Sequence, residues 1–337
     1  MSVRELTTAM ALPNDLLRVA KDAPDYVRRA RAEAEFWEKP HPWGLEAGED
    51  VYREGPVDHH INERFTGDPN LRWHETIPRH GTFRRGLVLG TSALRVEADI
   101  LAGNPSLHLT FVDISAGALE RRQEKLGRRF AGRVATETAD LNFIDLPPET
   151  YDLIVSSSTL HHVTNLEYLA WQINRALTQE GRFFLQDYVG EPRFAVSEPK
   201  RRLFEAVYDR DLARQPDRQP GLVWCDASDL SPFCGVRSDE ILAVLRKHLV
   251  EVELHTASTL TIPLLRSRPA DGANERRPPW WLARLRALRR RLPMRVAPIH
   301  ELWLGRQFLE ELFLVGDAAS DAGLLLPGTA FAVYRKR

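Results

Sequence analysis

The stretch from Gly86 to Ser115, GLVLGTSALRVEADILAGNPSLHLTFVDIS, constrains this chain more than any other. Leu87 to Leu89 is a short apolar run ending on Gly90, the form of a buried parallel strand before a tight turn. Residues 91–102 then carry a helical apolar pattern through Leu94, Ala98, Ile100 and Leu101. A second apolar run, 107–112, ends on Asp113. Strand, glycine turn, helix, strand and terminal acid thus follow in order. This is the form of the first β-α-β unit of a nucleotide-binding sheet, in which an acid about 20 residues past the glycine binds a ribose diol. An ordinary strand-to-helix turn starts in the same way. Only Gly90 holds a glycine place, and Ser92 and Leu94 occupy the next two. Asp113 also suits a helix cap. The rest of the chain has to decide.

Downstream the pattern alternates. Ala116 to Phe130 reads as a helix with Leu119, Leu126 and Phe130 on one side, and 133–136 as a third strand before Asp140 and Leu141. Tyr151 to Ser156 is the clearest buried strand, running directly into SSTLHH at 157–162. A helix over 167–177 and a strand over 182–188 follow. Strands alternating with helices predict a mostly parallel α/β sheet with helices on both faces. Before it, residues 1–80 read as short helices, a lid over a substrate or a structural cover.

With 337 residues, 43% of them apolar, the chain is long enough for one large α/β domain with additions. A net charge of −1 gives no push toward nucleic acid. No run nears the roughly 18 apolar residues that span a bilayer, and the first residues lack a signal-peptide pattern, so a cytoplasmic protein is expected. Two cysteines, Cys225 and Cys234, are too few and wrongly spaced for a zinc motif, and His59 and His60 are adjacent rather than convergent. No metal is expected.

The residues LVLGTSAL (87–94), FVD ending at Asp113, Asp140-Leu141, YDLIVSSSTLHHV (151–163) and INRALTQEGRFFLQDYVG (173–190) resemble the class I S-adenosylmethionine-dependent methyltransferases, in their small-molecule subgroup. VRSDEILAVLRKHL (236–249), VEVELHTAS (250–258) and GTAFAVYRK (328–336) resemble the last helix and the antiparallel strand pair of that fold. The resemblance implies a Rossmann-like core over 81–190 and an insertion over 191–300 that contains the last core helix. It also implies a C-terminal helix and antiparallel final strand over 301–337. It implies S-adenosyl-L-methionine as cofactor, held by Leu89, Gly90, Thr91, Ser92, Asp113, Ile114, Asp140, Leu141, Ser156 and Ser157. The chain departs from the family at Val88, where an acid is usual, and at Ser92 and Leu94, where glycines are usual. Glu97 is the acid placed to compensate.

Methyl transfer requires an oriented acceptor and, for a hydroxyl, a place for its proton. His161 and His162 after the fourth strand and Asp187 on the fifth are the candidate catalytic groups, with an arginine such as Arg193 the alternative partner for Asp187. The expected reaction is methyl transfer to oxygen or nitrogen of a small-molecule or glycan-type acceptor. A non-catalytic scaffold with the same fold is the alternative. Residues 266–295 hold ten arginines, and Arg284 to Arg291 lie on a helical pattern. That helix either packs with a solvated basic face or meets an anionic membrane carrying a lipid-linked acceptor.

Overall fold

The computed structural model describes residues 14–38, 56–91, 94–214, 221–225, 230–269 and 306–337. Ser92 and the arginine-rich helix over 284–291 lie outside the described residues. Five parallel strands form the centre: β1 (Arg85–Leu89), β2 (His108–Asp113), β3 (Val134–Thr138), β4 (Tyr151–Ser157) and β5 (Leu177–Tyr188). Two more complete the sheet, β7 (Val250–Ala257) and β9 (Thr329–Arg335), in the order β3-β2-β1-β4-β5-β9-β7. β9 runs antiparallel to both its neighbours. The reversal of strand order between β1 and β4 opens a crevice at the C-terminal ends of the strands, where sheets of this kind bind ligands.

Local sequence accounts for the helices. α3 (Leu94–Gly103), α4 (Ala116–Arg129), α5 (Leu166–Ala176) and α7 (Ile241–His248) each bury one apolar side against the sheet. The Ser115 side chain caps α4 by accepting from Ala118 N–H. Two cores result, one on each face. Leu87, Leu89, Ile154 and Phe183 belong to one, and Val88, Phe111, Leu153 and Phe184 to the other, as the two-residue period of a doubly covered strand dictates.

The additions to the sheet do not form a single insertion. α6 (Glu198–Leu212) follows β5, whereas α8 (Thr261–Arg266) and α9 (Arg306–Asp321) fall between β7 and β9. With α2 (Pro56–Thr66) they build a third apolar cluster from Val57, Phe204, Tyr208, Leu260, Phe308 and Leu312. A two-stranded ribbon of β6 (Leu222–Trp224) and β8 (Ser267–Pro269) lies beside it. Asp317 on α9 ties this cluster to the sheet edge, accepting from Ser258 and Thr259 N–H and lying 2.6 Å from His60 Nε2 on α2. His60 is therefore a structural partner of α9, stacked on Phe313. Among the described residues no helix is long and apolar enough to cross a membrane.

Candidate active site

The β1 strand ends on Gly90 in the left-handed region, with φ of 78°, and its N–H donates to Val112 O at 2.7 Å. Thr91 then donates through both its N–H and its hydroxyl to Asp113 Oδ2, at 2.8 and 2.9 Å. Ser115 N–H donates to Oδ1 of the same carboxylate at 2.9 Å. Asp113 thus binds the glycine turn to the end of β2, and its burial pushes its pKa above the usual carboxylate range. Leu94 turns toward the apolar cluster of Val88, Val96 and Phe111, so its bulk does not enter the turn.

These residues open onto a cavity of about 470 Å³ at the C-terminal ends of the parallel strands, within the usual size range of small-molecule sites. Of the residues expected from sequence, Gly90, Thr91, Asp113, Ile114, Asp140, Leu141, Ser157, His161 and His162 all line it. Leu89 and Ser156 do not. Both are fully buried within the sheet, because alternation along a strand sends neighbouring side chains to opposite faces. Glu97 is also displaced from its expected role. It is buried 2.9 Å from Arg122 Nε, linking α3 to α4 rather than facing the cavity.

The N-terminal helix α1 (Pro24–Trp37) is part of the site. Tyr26 packs edge-on against Phe143 and stacks on Phe233, and its hydroxyl donates to Asp140 Oδ2 at 2.5 Å. Two turns further along, Glu33 reaches His162 Nδ1 at 2.8 Å and accepts from Ser231 Oγ, Phe233 N–H and Trp37 Nε1. Burial alone would raise its pKa, but the His162 ring and these donors hold it at about 2. Glu33 and Trp37 line the cavity, and no motif marked them in the sequence.

Asp187 is fully buried and does not line the cavity. It accepts from the N–H groups of Thr159, Leu160 and Tyr188, and Oδ1 lies 2.5 Å from His161 Nδ1. Its partner is thus His161 rather than Arg193, which instead donates to the carbonyls of Ser231, Pro232 and Cys234. Burial would lower the His161 pKa, but Asp187 raises it above the usual histidine range. Cys234 also comes to this place. One ligand-type atom from each of His161, His162 and Cys234 lies within 4.8 Å of the other two. Burial would raise the Cys234 thiol, and the two imidazoles bring it down instead.

Sheet order, switch-point cavity and strand-end acids together define a class I, Rossmann-like nucleotide-site fold. Residues 87–183 match the family described as "Methyltransferase domain". A ubiquinone/menaquinone biosynthesis C-methyltransferase of Methylobacterium nodulans is 28% identical over 134 residues, 38% of this chain and 53% of the relative. A malonyl-acyl-carrier-protein O-methyltransferase of Geobacter sulfurreducens is 32% identical over 94 residues, 28% of this chain and 34% of the relative. Each curated match spans less than two thirds of the relative's own length. Among solved structures, a geranyl diphosphate C-methyltransferase from Streptomyces coelicolor superposes with a TM-score of 0.50 at 14% identity. That superposition covers 95% of this chain and all of the other, and it establishes the fold. Residues 87–183 are therefore similar in sequence to a methyltransferase domain, carried here on a Rossmann-like fold.

Proposed function

We propose that the chain transfers a methyl group from S-adenosyl-L-methionine to a small, largely apolar acceptor carrying a nucleophilic oxygen or nitrogen. One observation carries this reading: the Gly90 turn, Asp113, Asp140 and both imidazoles open onto one cavity. The fit of the cofactor rests on the turn. Gly90 keeps its left-handed backbone and lines the cavity with Thr91, while Leu94 packs into the helix–sheet interface and does not line it. Asp113 would hold the ribose hydroxyls, using the acceptor capacity that Thr91 and Ser115 leave, and Asp140 with Leu141 would border the adenine. When bound, the cofactor supplies an already activated methyl group for in-line displacement. The chain's own contribution is orientation and exclusion of water. His161 and His162 form the polar wall against which the acceptor's nucleophile is set, with Asp187 and Glu33 fixing the two rings. Phe65, Trp73, Tyr188, Phe194 and Phe233 give the cavity an apolar lining that favours an acceptor with a hydrocarbon body.

Calorimetric titration with S-adenosyl-L-homocysteine tests the reading. Binding in the micromolar range, about −8 kcal/mol, is expected. Asp113→Ala should weaken it at least tenfold, since two charge-assisted hydrogen bonds are worth about 1.5–3 kcal/mol each. Urea unfolding of the same variant separates loss of the ligand bond from loosening of the turn. No binding by the wild-type chain at millimolar product removes the proposal.

A further inference from the structure

Three donors of metal-ligand type meet beside the cavity, and methyl transfer from a sulfonium makes no demand on a thiol there. The ligand atoms of His161, His162 and Cys234 lie within 4.8 Å of one another. A tetrahedral ion with bonds of about 2.0–2.3 Å spaces neighbouring ligands about 3.5 Å apart, so a small contraction brings all three into one shell.

The support around the cluster is the stronger argument. Each imidazole has one nitrogen on a carboxylate, His161 on Asp187 at 2.5 Å and His162 on Glu33 at 2.8 Å, which leaves one nitrogen per ring to coordinate. Carboxylates in this relation fix the ring and raise its basicity as a ligand. Both are themselves held, Asp187 by three backbone N–H groups and Glu33 by Phe233 N–H, Ser231 Oγ and Trp37 Nε1. The turn carrying Cys234 is equally constrained. Val236 N–H donates to His161 O at 3.0 Å, and Arg193 N–H donates to Gly235 O at 2.7 Å. Gly235 itself has φ of 69°, and a Cβ there would stand 2.9 Å from Arg193 N.

We propose that His161, His162 and Cys234 bind one borderline-soft divalent transition ion, Zn²⁺ foremost, with its fourth position open to the cavity. A thiolate ligand selects such ions over Mg²⁺. Two imidazoles, one thiolate and an open place match the donor count of catalytic rather than structural zinc sites. Both imidazoles line the cavity, so the open place is taken by water or by an acceptor oxygen. Binding releases the thiol proton and any proton on the coordinating ring nitrogens. There the ion polarises a bound hydroxyl and lowers its pKa. The proposal goes beyond methyl transfer and stands on this chain's side chains alone.

Cobalt titration of the full chain, stripped by chelator and checked for native circular dichroism, tests it without any methyl donor. One equivalent of Co²⁺ should produce a near-ultraviolet thiolate-to-cobalt charge-transfer band with intense visible bands of a tetrahedral site, and Zn²⁺ should displace both. Cys234→Ser should abolish the charge-transfer band, and Cys225→Ser, at the chain's other cysteine, should retain it. Glu33→Gln and Asp187→Asn should weaken cobalt affinity by about 10–100-fold. The wild-type titration decides even if a variant misfolds. Absence of a thiolate band at stoichiometric cobalt, or a band that survives Cys234→Ser, overturns the site.

Discussion

Gly90 shows how much one residue contributes to the nucleotide end of the cavity. Its φ of 78° suits glycine, and an added Cβ would stand 2.3 Å from Thr159 Oγ1. Left-handed backbone costs about 1–2 kcal/mol for other residues, and the overpacking against Thr159 adds about 1–3 kcal/mol. Gly90→Ala should therefore destabilise the chain by about 2–5 kcal/mol in urea unfolding and also weaken product binding. An unaffected unfolding midpoint would show that the turn relaxes freely. Asp113 has a double part at this scale. It is legible as a strand-end acid in the sequence, yet its bonds to Thr91 and Ser115 make it a strut of the turn as well as the proposed ribose ligand.

Elements meet at a charged clamp between α5, the start of α7 and the N-terminal segment. Arg237, just ahead of α7, donates through both terminal nitrogens to Glu167 in the first turn of α5, each at 2.7 Å. Arg18, from the N-terminal segment, joins Glu167 at 3.2 Å. Burial would raise the Glu167 pKa, but the Arg237 bonds outweigh it and hold the carboxyl at about 2. A carboxyl depressed in the folded state binds more protons when unfolded. Its contribution is thus complete above the ordinary glutamate pKa and is lost as pH falls toward 2. Wild-type stability should decline through that window, and Glu167→Gln should flatten the decline. Parallel acid limbs for the two chains would rule the clamp out as the cause. The N-terminal segment is joined to the core here, and again through Tyr26 and Glu33. The N-terminal helix α1 is thus anchored to the core and, through Glu33 and Trp37, lines the cavity.

Across the whole molecule, the strand ends carry one part of the cavity and the additions carry the rest. Val57 and Ile61 of α2 and Thr261 and Ile262 of α8 line the wall that the β1–β5 core does not provide. They rest on the third apolar cluster, so ligand binding and the packing of these additions are linked. S-adenosyl-L-homocysteine at 100 times its dissociation constant should stabilise the folded chain by about 2.7 kcal/mol. That gain should appear as a rise of several degrees in the unfolding midpoint, growing with ligand concentration. A midpoint indifferent to the ligand would mean that the native cavity does not bind it.

The periodicity of residues 86–188 was enough to specify the strands, their helices and the acids at the strand ends. Each of those features depends on local spacing: two residues for a strand, three to four for a helix, about twenty for one β-α-β unit. Gly90, Asp113, Asp140 and the paired histidines were legible for that reason. Leu89 and Ser156 are buried away from the cavity because position at a strand end does not say which face each side chain takes. Glu33, Trp37 and Cys234 carry no local signal at all. Glu33 reaches His162 across 129 positions, and the Cys234 turn reaches His161 through Val236. Cysteine spacing along the chain argued against a metal motif, whereas folding brings one thiol to two rings already held by carboxylates. Sequence alone determined the sheet and the strand ends that open onto the cavity, because those depend on short-range period. Only the tertiary structure decided what closes the cavity, because that depends on segments the chain places far apart and packing brings together.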